Sequence, residues 1–289
     1  MTNYATIARK LRERDNLQEI VNIGKPAFLH EDHRWILPLL AWKQAEQVVP
    51  QPCTLVMFDA HHDSLEPRNI ATIREISEQS PSPEQVFDLC DTQLSTSDDD
   101  WVIAGMELGL IKDAVVFGVT HYQPTEKHRV FHDSRGIEHQ LWMTCALPGE
   151  SLGFQGDLSD HARSDELELL WSILDWNLGD SGFKFSSKPQ PIILDIDLDC
   201  FTATWRGSHF SWPAVVWQDT FELPSTYGLT QGWTGRAFFD SLRDRAAMIT
   251  VAREAACCGG EAVCDENLSK VATHLFGLNE GFEIASSRR

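Results

Sequence analysis

Short apolar runs that end in acidic and histidine side chains constrain this chain more than any other feature. Residues 55–58 (LVMF) run directly into 59–63 (DAHHD), and residues 191–194 (PIIL) run into 195–199 (DIDLD). Side chains alternate along an extended strand, so Asp59, His61 and Asp63 are expected to project to one side. Burying such groups together is costly unless a positive charge holds them. Both segments therefore predict the ends of buried strands that meet at a bound metal ion.

Apolar, β-branched runs elsewhere indicate an alternating arrangement of strands and helices. The predicted strands cover residues 54–58, 114–119, 141–145, 192–194 and 248–252. Helical periodicity covers residues 1–16, 35–47, 101–111, 166–176 and 236–244, while 149–160 and 179–190, rich in Gly, Ser and Asp, are expected to be loops. Strand and helix in alternation predict an α/β fold with three αβα layers and a mostly parallel central sheet.

Length and composition indicate one soluble domain. The 289 residues, 42% of them hydrophobic, suffice for one large core or two small ones, and without an internal repeat we predict a single domain over 1–289. No run of about 18 apolar residues occurs, which excludes a transmembrane helix. The N-terminus lacks the apolar segment of a secretion signal. Seven cysteines without CxxC spacing favour reduced thiols, so we predict a cytoplasmic protein whose oligomeric state stays open.

The charge balance excludes one class of partner. Forty-three acidic residues against 24 basic ones give a formal net charge of −19. Binding to DNA or RNA requires Lys and Arg at the phosphates, so a nucleic-acid partner is not expected. An acidic surface is compatible with a cationic substrate, although solubility alone would also explain it.

The second acidic segment has one obvious competing interpretation, an EF-hand calcium loop. Such a loop needs a glycine at its centre and a glutamate at its end, and residues 195–199 place neither. Adjacent carboxylates raise each other's pKa values unless a cation neutralises them. The two acidic segments are therefore predicted to converge on one site.

The motif D-A-H-x-D after a buried strand, followed later by D-x-D at the end of another, resembles the arginase, agmatinase and histone deacetylase superfamily. Arginases also carry a histidine upstream of the first motif, and His33 in residues 31–33 (EDH) corresponds to it. The first and second motifs are specific, whereas an Asp-His pair is a weak signal. The resemblance spans three motifs in chain order and implies an arginase-like fold for most of the sequence.

Matched residue by residue, the resemblance implies two Mn²⁺ ions per chain. It assigns to one ion the ligands His33, Asp59, Asp63 and Asp197. It assigns to the other His61, Asp59, Asp197 and Asp199. A set rich in carboxylates, with few imidazoles and no thiolate, suits Mn²⁺ better than Zn²⁺.

The register of the second motif is open. The arginase pattern is Ser-x-Asp-x-Asp, and Asp195 stands where that pattern has serine, which makes Asp197 and Asp199 the ligands. A shift by two residues would use Asp195 and Asp197 instead.

In arginase-like enzymes two metal ions about 3.5–4 Å apart acidify a water that attacks the guanidinium carbon, and urea leaves the amine. Asp63 is expected to hydrogen-bond the nucleophile as well as bind metal. Glu254, which follows the predicted strand 248–252, is the candidate carboxylate for the guanidinium, with an ordinary surface glutamate as the alternative. His62 and His121 are equal candidates for the proton shuttle.

The chain departs from arginases that act on the free amino acid. The Ser- and Asn-bearing loops that hold an amino-acid head are missing, and Cys200 and Phe201 follow the second motif where Asp-Pro is usual. It looks more like the branch that includes peptide arginases, which convert arginine to ornithine within ribosomally made precursor peptides. An arginine-containing peptide is therefore the predicted substrate.

Tryptophan is abundant after the second motif. Four of the ten tryptophans follow this motif, at Trp205, Trp212, Trp217 and Trp233. They are expected either to line a peptide groove or to pack in the core.

Three other functions stay open on the sequence alone. A zinc deacetylase of the same superfamily would use one metal ion and a tyrosine, of which the chain has only three. A ureohydrolase for free arginine or agmatine would share the metal ligands. A non-catalytic protein with a structural metal would need only four ligands, fewer than the six candidates here.

Overall fold

The computed structural model describes residues 4–119, 128–144, 173–174, 176–179, 182–185, 191–224 and 234–285. Twelve strands occur in the described residues: β1 (Gln18–Glu19), β2 (Ala27–His30), β3 (Cys53–Phe58), β4 (Ile111–Phe117), β5 (His128–His132), β6 (Glu138–Thr144), β7 (Trp176–Gly179), β8 (Gly182–Phe185), β9 (Ile192–Asp197), β10 (Thr202–Trp205), β11 (Ser208–Ser211) and β12 (Ala246–Ala252).

Eight of these strands form one sheet in the order β1-β2-β12-β9-β3-β4-β6-β5. The six inner strands run parallel, and only the edge strands β1 and β5 are antiparallel to their neighbours. Two separate hairpins pair β7 with β8 and β10 with β11. The central sheet is therefore mostly parallel, as predicted.

The α-helices in the described residues are α1 (Tyr4–Asp15), α2 (Ile36–Ala45), α3 (Ile70–Ser77), α4 (Pro83–Thr92), α5 (Trp101–Glu107), α6 (Ala214–Trp217), α7 (Gly235–Arg245) and α8 (Glu261–His274). A 3₁₀ turn, His33–Trp35, leads into α2, another, Leu198–Phe201, follows β9, and a π turn, Gln218–Glu222, extends α6. Helix α4 begins at a capping box. The Ser82 side chain accepts a hydrogen bond from the Gln85 N–H, and the Gln85 side chain accepts one from the Ser82 N–H.

Both faces of the sheet are covered by helices. Along β3, Leu55 and Met57 pack with α1, α2, α4 and α5, whereas Val56 and Phe58 pack with α7 and α8. All four side chains are buried, which is why the strand reads as a continuous apolar run rather than an alternating one. The predicted three-layer αβα architecture is confirmed.

The predicted elements match the structure except at particular boundaries. The helix predicted over 101–111 ends at Glu107, because Gly109 adopts a left-handed φ of 72° and Ile111 already begins β4. The predicted loop 179–190 is wrong at its described residues, since Gly179 ends β7 and Gly182–Phe185 forms β8. The two strands pair as an antiparallel hairpin, with Gly179 opposite Gly182.

Two further expectations concern segments that lie wholly or mostly outside the described residues. The loop predicted over 149–160 lies outside the described residues. So does most of the helix predicted over 166–176, although Trp176 itself begins β7. The single domain stays a prediction. Among the described helices, none combines the length and apolar character that a membrane crossing demands.

Candidate metal centre

Four neighbouring parallel strands bring the predicted site residues to one edge of the sheet. His33 follows β2, Glu254 follows β12, Asp197 ends β9 and Asp59 follows β3. Since β2, β12, β9 and β3 are adjacent in that order, segments far apart in the sequence end side by side. The carboxyl ends of parallel strands are where sites form in such sheets.

The His33 side chain lies at the centre of this edge. Its Nδ1 atom is 3.5 Å from Asp59 Oδ2, 3.2 Å from Asp63 Oδ2 and 3.4 Å from Asp197 Oδ2. Glu254 Oε1 lies 3.3 Å from the same nitrogen. One imidazole nitrogen thus faces four carboxylates, and the ring is only 1% exposed.

Among the described residues, Asp199, Glu254 and Cys257 form one group of candidate ligands, and two further groups share Asp59. Of these two, one is His33, Asp59 and Asp197, and the other is Asp59, His61 and Asp199; within each, the ligand atoms lie within 4.8 Å of one another. In the second group His61 Nδ1 is 2.9 Å from Asp199 Oδ2. Asp63 contacts His33 but belongs to neither group, and Asp197 belongs only to the first.

The hydrogen bonding at this edge is incomplete in a way that suits a cation. Asp59 Oδ2, Asp197 Oδ2, Asp199 Oδ2 and His33 Nδ1 are buried and have no hydrogen-bond partner among the described residues. A buried carboxylate oxygen without a donor is costly. Divalent cations would supply the missing partner, and a set of carboxylates with one imidazole in each group that shares Asp59 fits Mn²⁺.

Burial and crowding shift the pKa values of these groups. Burial, reinforced by neighbouring carboxylates, raises the pKa of Asp59 and Asp197 well above the usual range. The adjacent carboxylates of Asp199 and Asp59 raise the pKa of His61 to about 11. Burial would raise the pKa of Glu254, but the charge of His33 and its hydrogen bonds outweigh this and lower it to about 2. Buried carboxylates that raise each other's pKa values in this way are the groups that a bound cation would neutralise.

Asp195 lies on the other side of the His33 ring. Its Oδ2 atom is 3.0 Å from His33 Nε2, and its Oδ1 atom accepts a hydrogen bond of 2.6 Å from Thr250 Oγ1. The two groups that share Asp59 contain Asp197 and Asp199 and not Asp195. This placement favours the register in which Asp195 supports a ligand rather than serving as one.

Two residues of the site have left-handed backbone conformations that only glycine adopts without cost. Asp63 has φ 47° and Glu254 has φ 35°. Asp63 is held by Trp101 Nε1, which donates to its Oδ2 at 2.8 Å, and by a backbone bond from Val102. The Glu254 carbonyl accepts from the N–H groups of Cys257 and Cys258. Such conformations persist where surrounding contacts fix them, commonly at functional sites.

A cavity of about 650 Å³ opens on the cluster. The described residues that line it are His61, His62, Asp63, Leu65, Ser97, Asp99, Glu254 and Cys257. The three acidic side chains make it suitable for a cationic group.

Of the two proton-shuttle candidates, His62 lines the cavity and His121 lies outside the described residues. Backbone N–H of Ser64 donates to His62 Nδ1 at 3.2 Å, so in the neutral ring the proton sits on Nε2. Burial lowers the pKa of His62.

Of the two alternatives for the tryptophans after the second motif, a groove or core packing, the described residues favour core packing at two positions. Trp212 and Trp217 pack on Phe201, with ring centroids 5.4 and 4.7 Å away, and Trp217 is 1% exposed. Trp205 is exposed at the end of β10, and Trp233 lies outside the described residues. None of the three described tryptophans lines the cavity, and core packing is the correct interpretation for Trp212 and Trp217.

Sequence reasoning missed several residues at this edge. It did not single out Trp101, Thr250 or Cys257, whose positions beside Asp63, Asp195 and Glu254 depend on the tertiary fold. A signal existed only for Cys257, which lies three residues beyond Glu254 and within the same turn.

No protein-family model matches this chain, and no curated protein sequence matches it. Among solved structures, the chain is similar to the proclavaminate amidino hydrolase from Streptomyces clavuligerus, with a TM-score of 0.41 and 10% sequence identity. The alignment covers 87% of this chain and 62% of that one, so this chain spans less than two thirds of its length. A likeness at this level carries no conclusion about the reaction.

Proposed function

We propose that this protein is a binuclear manganese hydrolase of the arginase type, which removes urea from arginine side chains within a peptide and leaves ornithine. The observation that carries the proposal is the pair of ligand groups that share Asp59 at the end of a central strand. Three of the buried carboxylate oxygens in these groups lack a hydrogen-bond partner among the described residues. A structural metal site would need only one closed group of four ligands.

The proposed ligands of one ion are His33, Asp59, Asp63 and Asp197. Those of the other are His61, Asp59, Asp197 and Asp199. When bound, two such cations supply Lewis acidity and a water of lowered pKa as the nucleophile.

In this proposal Glu254 binds the substrate. Its carboxylate lines the cavity, where it can accept two parallel N–H bonds from a guanidinium group. Asp99, at the cavity wall, adds negative charge that favours a cationic substrate. Glu254 also lies within reach of His33, which places the guanidinium carbon next to the ligand cluster.

The reaction requires one water and two proton movements. A bond forms between the water oxygen and the guanidinium carbon, and the bond from that carbon to the side-chain nitrogen breaks. Asp63 accepts a hydrogen bond from the attacking water and orients it. His62, which lines the cavity, is the proposed carrier of the proton that the leaving amine takes up.

Mass spectrometry of two substrates tests the proposal. Mn²⁺-loaded protein is incubated with an arginine-bearing peptide and, separately, with free arginine. We expect the peptide to become lighter by the mass of CH₂N₂ for each arginine converted, with an equal amount of urea released, and little urea from free arginine.

Other outcomes identify the competing functions. Efficient urea release from free arginine or agmatine, with no change in any peptide, would indicate an ordinary ureohydrolase. One tightly bound Zn²⁺ with activity independent of Mn²⁺ would indicate a deacetylase. A stable metal content without turnover of any guanidine would indicate a binding protein.

The location and partners follow from the same proposal. A cytoplasmic location is supported by the cysteines of the described residues, which are all free thiols. The peptide substrate is the proposed partner; a nucleic-acid partner is not expected, given the net charge of −19.

A further inference from the structure

A second cavity adjoins the one at the metal centre. It encloses about 460 Å³ and shares Leu65, Ser97 and Asp99 with the first cavity. Its other described lining residues are Glu66, Arg68, Asn69, Thr92, Gln93, Leu94, Ser95, Thr96 and Asp100. The two cavities therefore meet at these three residues, which are called the wall below.

The wall is tied to the candidate metal ligands. Leu65 N–H donates to the Asp99 carbonyl at 2.9 Å, which joins its two segments. Just beyond, Val102 N–H donates to the Asp63 carbonyl at 3.1 Å. Trp101 Nε1 also donates to the Asp63 carboxylate. The wall therefore keeps a fixed distance from Asp63.

Ser95, which lines the second cavity, is held in place by two hydrogen bonds. The Ser95 carbonyl accepts a bond of 2.9 Å from Arg34 Nη1, and Ser95 N–H donates to the Asp100 carboxylate. Arg34 is buried and directly follows His33. A cavity held in place by buried contacts binds a ligand without a large ordering cost.

Three neutral polar side chains of the second cavity suit an amide chain, beside the charged Glu66, Arg68, Asp99 and Asp100. Asn69, Thr96 and Ser97 can each donate and accept hydrogen bonds, and their side chains make none with the part of the chain that the structure describes. Leu65, 48% exposed, offers an apolar surface at the passage between the cavities. Uncommitted neutral donors and acceptors match the N–H and C=O groups of an extended peptide, which must otherwise lose their bonds to water.

We propose that the second cavity is the subsite for the peptide main chain that flanks the target arginine. The inference rests on the proposed function, because the arginine side chain occupies the first cavity. Each flanking residue of an extended peptide adds about 3.3 Å, so the chain crosses the wall at Leu65 and continues over Thr96 and Asn69. Free arginine has no atoms that reach this subsite.

The Thr96→Trp substitution tests the subsite because it fills the second cavity from an exposed position. Urea release is measured with an arginine-bearing peptide and with N-acetyl-arginine amide, which has neutral ends but no flanking residues. We expect KM for the peptide to rise about tenfold and KM for the capped arginine to change by less than about twofold. The value of kcat should be unchanged for both.

Two further variants make the test independent of misfolding. Gln79→Trp adds the same bulk at an exposed position just beyond α3, which lines neither cavity, and should leave both KM values unchanged. The double variant Asn69→Ala with Thr96→Ala removes hydrogen-bonding groups without adding volume and should raise KM for the peptide alone. If Thr96→Trp does not fold, KM of the double variant for the peptide tests the subsite.

Three outcomes overturn the inference, and they differ from one another. An unchanged KM for the peptide in Thr96→Trp and in the double variant shows that the chain lies elsewhere. Equal increases for both substrates show that the wall, and not a subsite, was disturbed. Urea release by the wild type from neither substrate removes the proposed function itself, and the subsite with it.

Discussion

Two buried aspartates in this molecule have opposite surroundings. Asp133, after β5, accepts hydrogen bonds from the backbone N–H groups of Arg135 and Ile137 and from the Arg135 side chain. Burial would raise its pKa, but these bonds outweigh burial and lower it. Asp59, after β3, accepts one short bond from the His61 N–H, while its other oxygen has no hydrogen-bond partner in the described residues. Its pKa is raised.

The difference separates a structural acid from one that serves a ligand. Both side chains have no exposed surface, but Asp59 lies deeper in the protein, so burial and the hydrogen-bond partners both distinguish them. Donors from the protein surround Asp133, and it stabilises a turn. At Asp59 the nearest groups are other acids and two histidines, an environment that a bound cation would complete. The four predictions below test this contrast.

The largest effect is expected for Asp59→Asn. Loss of the charge shared by the two ligand groups should abolish Mn²⁺ binding and lower urea release on the order of 10³-fold or more. In thermal unfolding, Mn²⁺ at 100 times its Kd should stabilise the wild type by about 2.7 kcal/mol and this variant not at all. Asp133→Asn serves as the matched control and should respond to Mn²⁺ like the wild type. An Asp59→Asn protein that keeps its metals would contradict the proposed ligand set.

Glu254→Gln should keep both metal ions and lose most turnover. The amide preserves the shape but removes the charge that accepts a guanidinium, so we expect kcat/KM to fall about 100-fold. Metal content is measured by elemental analysis alongside urea release. Wild-type rates in this variant would make Glu254 a bystander.

Asp195→Asn tests whether Asp195 is itself a metal ligand or positions the ligand His33. An amide cannot place one oxygen against His33 Nε2 and another as the acceptor for Thr250 as the carboxylate does, so the His33 ring is held less firmly. Mn²⁺ affinity, measured by titration calorimetry, should fall about 10-fold to 100-fold, while Asp199→Asn should cost more. If Asp195→Asn eliminates binding and Asp199→Asn is harmless, the second motif is used in the other register.

The smallest effect on function is expected for Asp133→Asn. Loss of bonds to Arg135 and Ile137 should destabilise the fold by about 1–3 kcal/mol and leave kcat unchanged. The pKa of Asp133 is lower in the folded state, so its contribution is complete above the unfolded value of about 3.9 and disappears as pH falls through the folded value. Denaturant titrations should show a constant gap between the two proteins from about pH 5 to 7, which narrows in acid. A gap that widens in acid would contradict the lowered pKa.

Motifs within one strand were sufficient to predict part of the site. Asp59 and His61 follow an apolar strand, and local alternation predicts that they meet at its end. The order of the layers also followed from alternating strands and helices. These features depend on residues close together in the sequence, where geometry is nearly fixed.

Features that depend on distant contacts could not be predicted. Alternation places Asp195 and Asp197 on one side of β9, and only the position of the His33 ring between them separates their surroundings. Tryptophan composition could not distinguish the packed Trp217 from the exposed Trp205. Both questions are decided by neighbours that come from other parts of the chain.

The left-handed backbone at Asp63 and Glu254 has an evolutionary consequence. At both positions glycine would relieve backbone strain of about 1–3 kcal/mol, so stability alone favours replacing these acids. Under selection for thermal stability alone, both positions should therefore change to glycine. Retention of an acid at both places, against that tendency, would record continuous selection for the reaction.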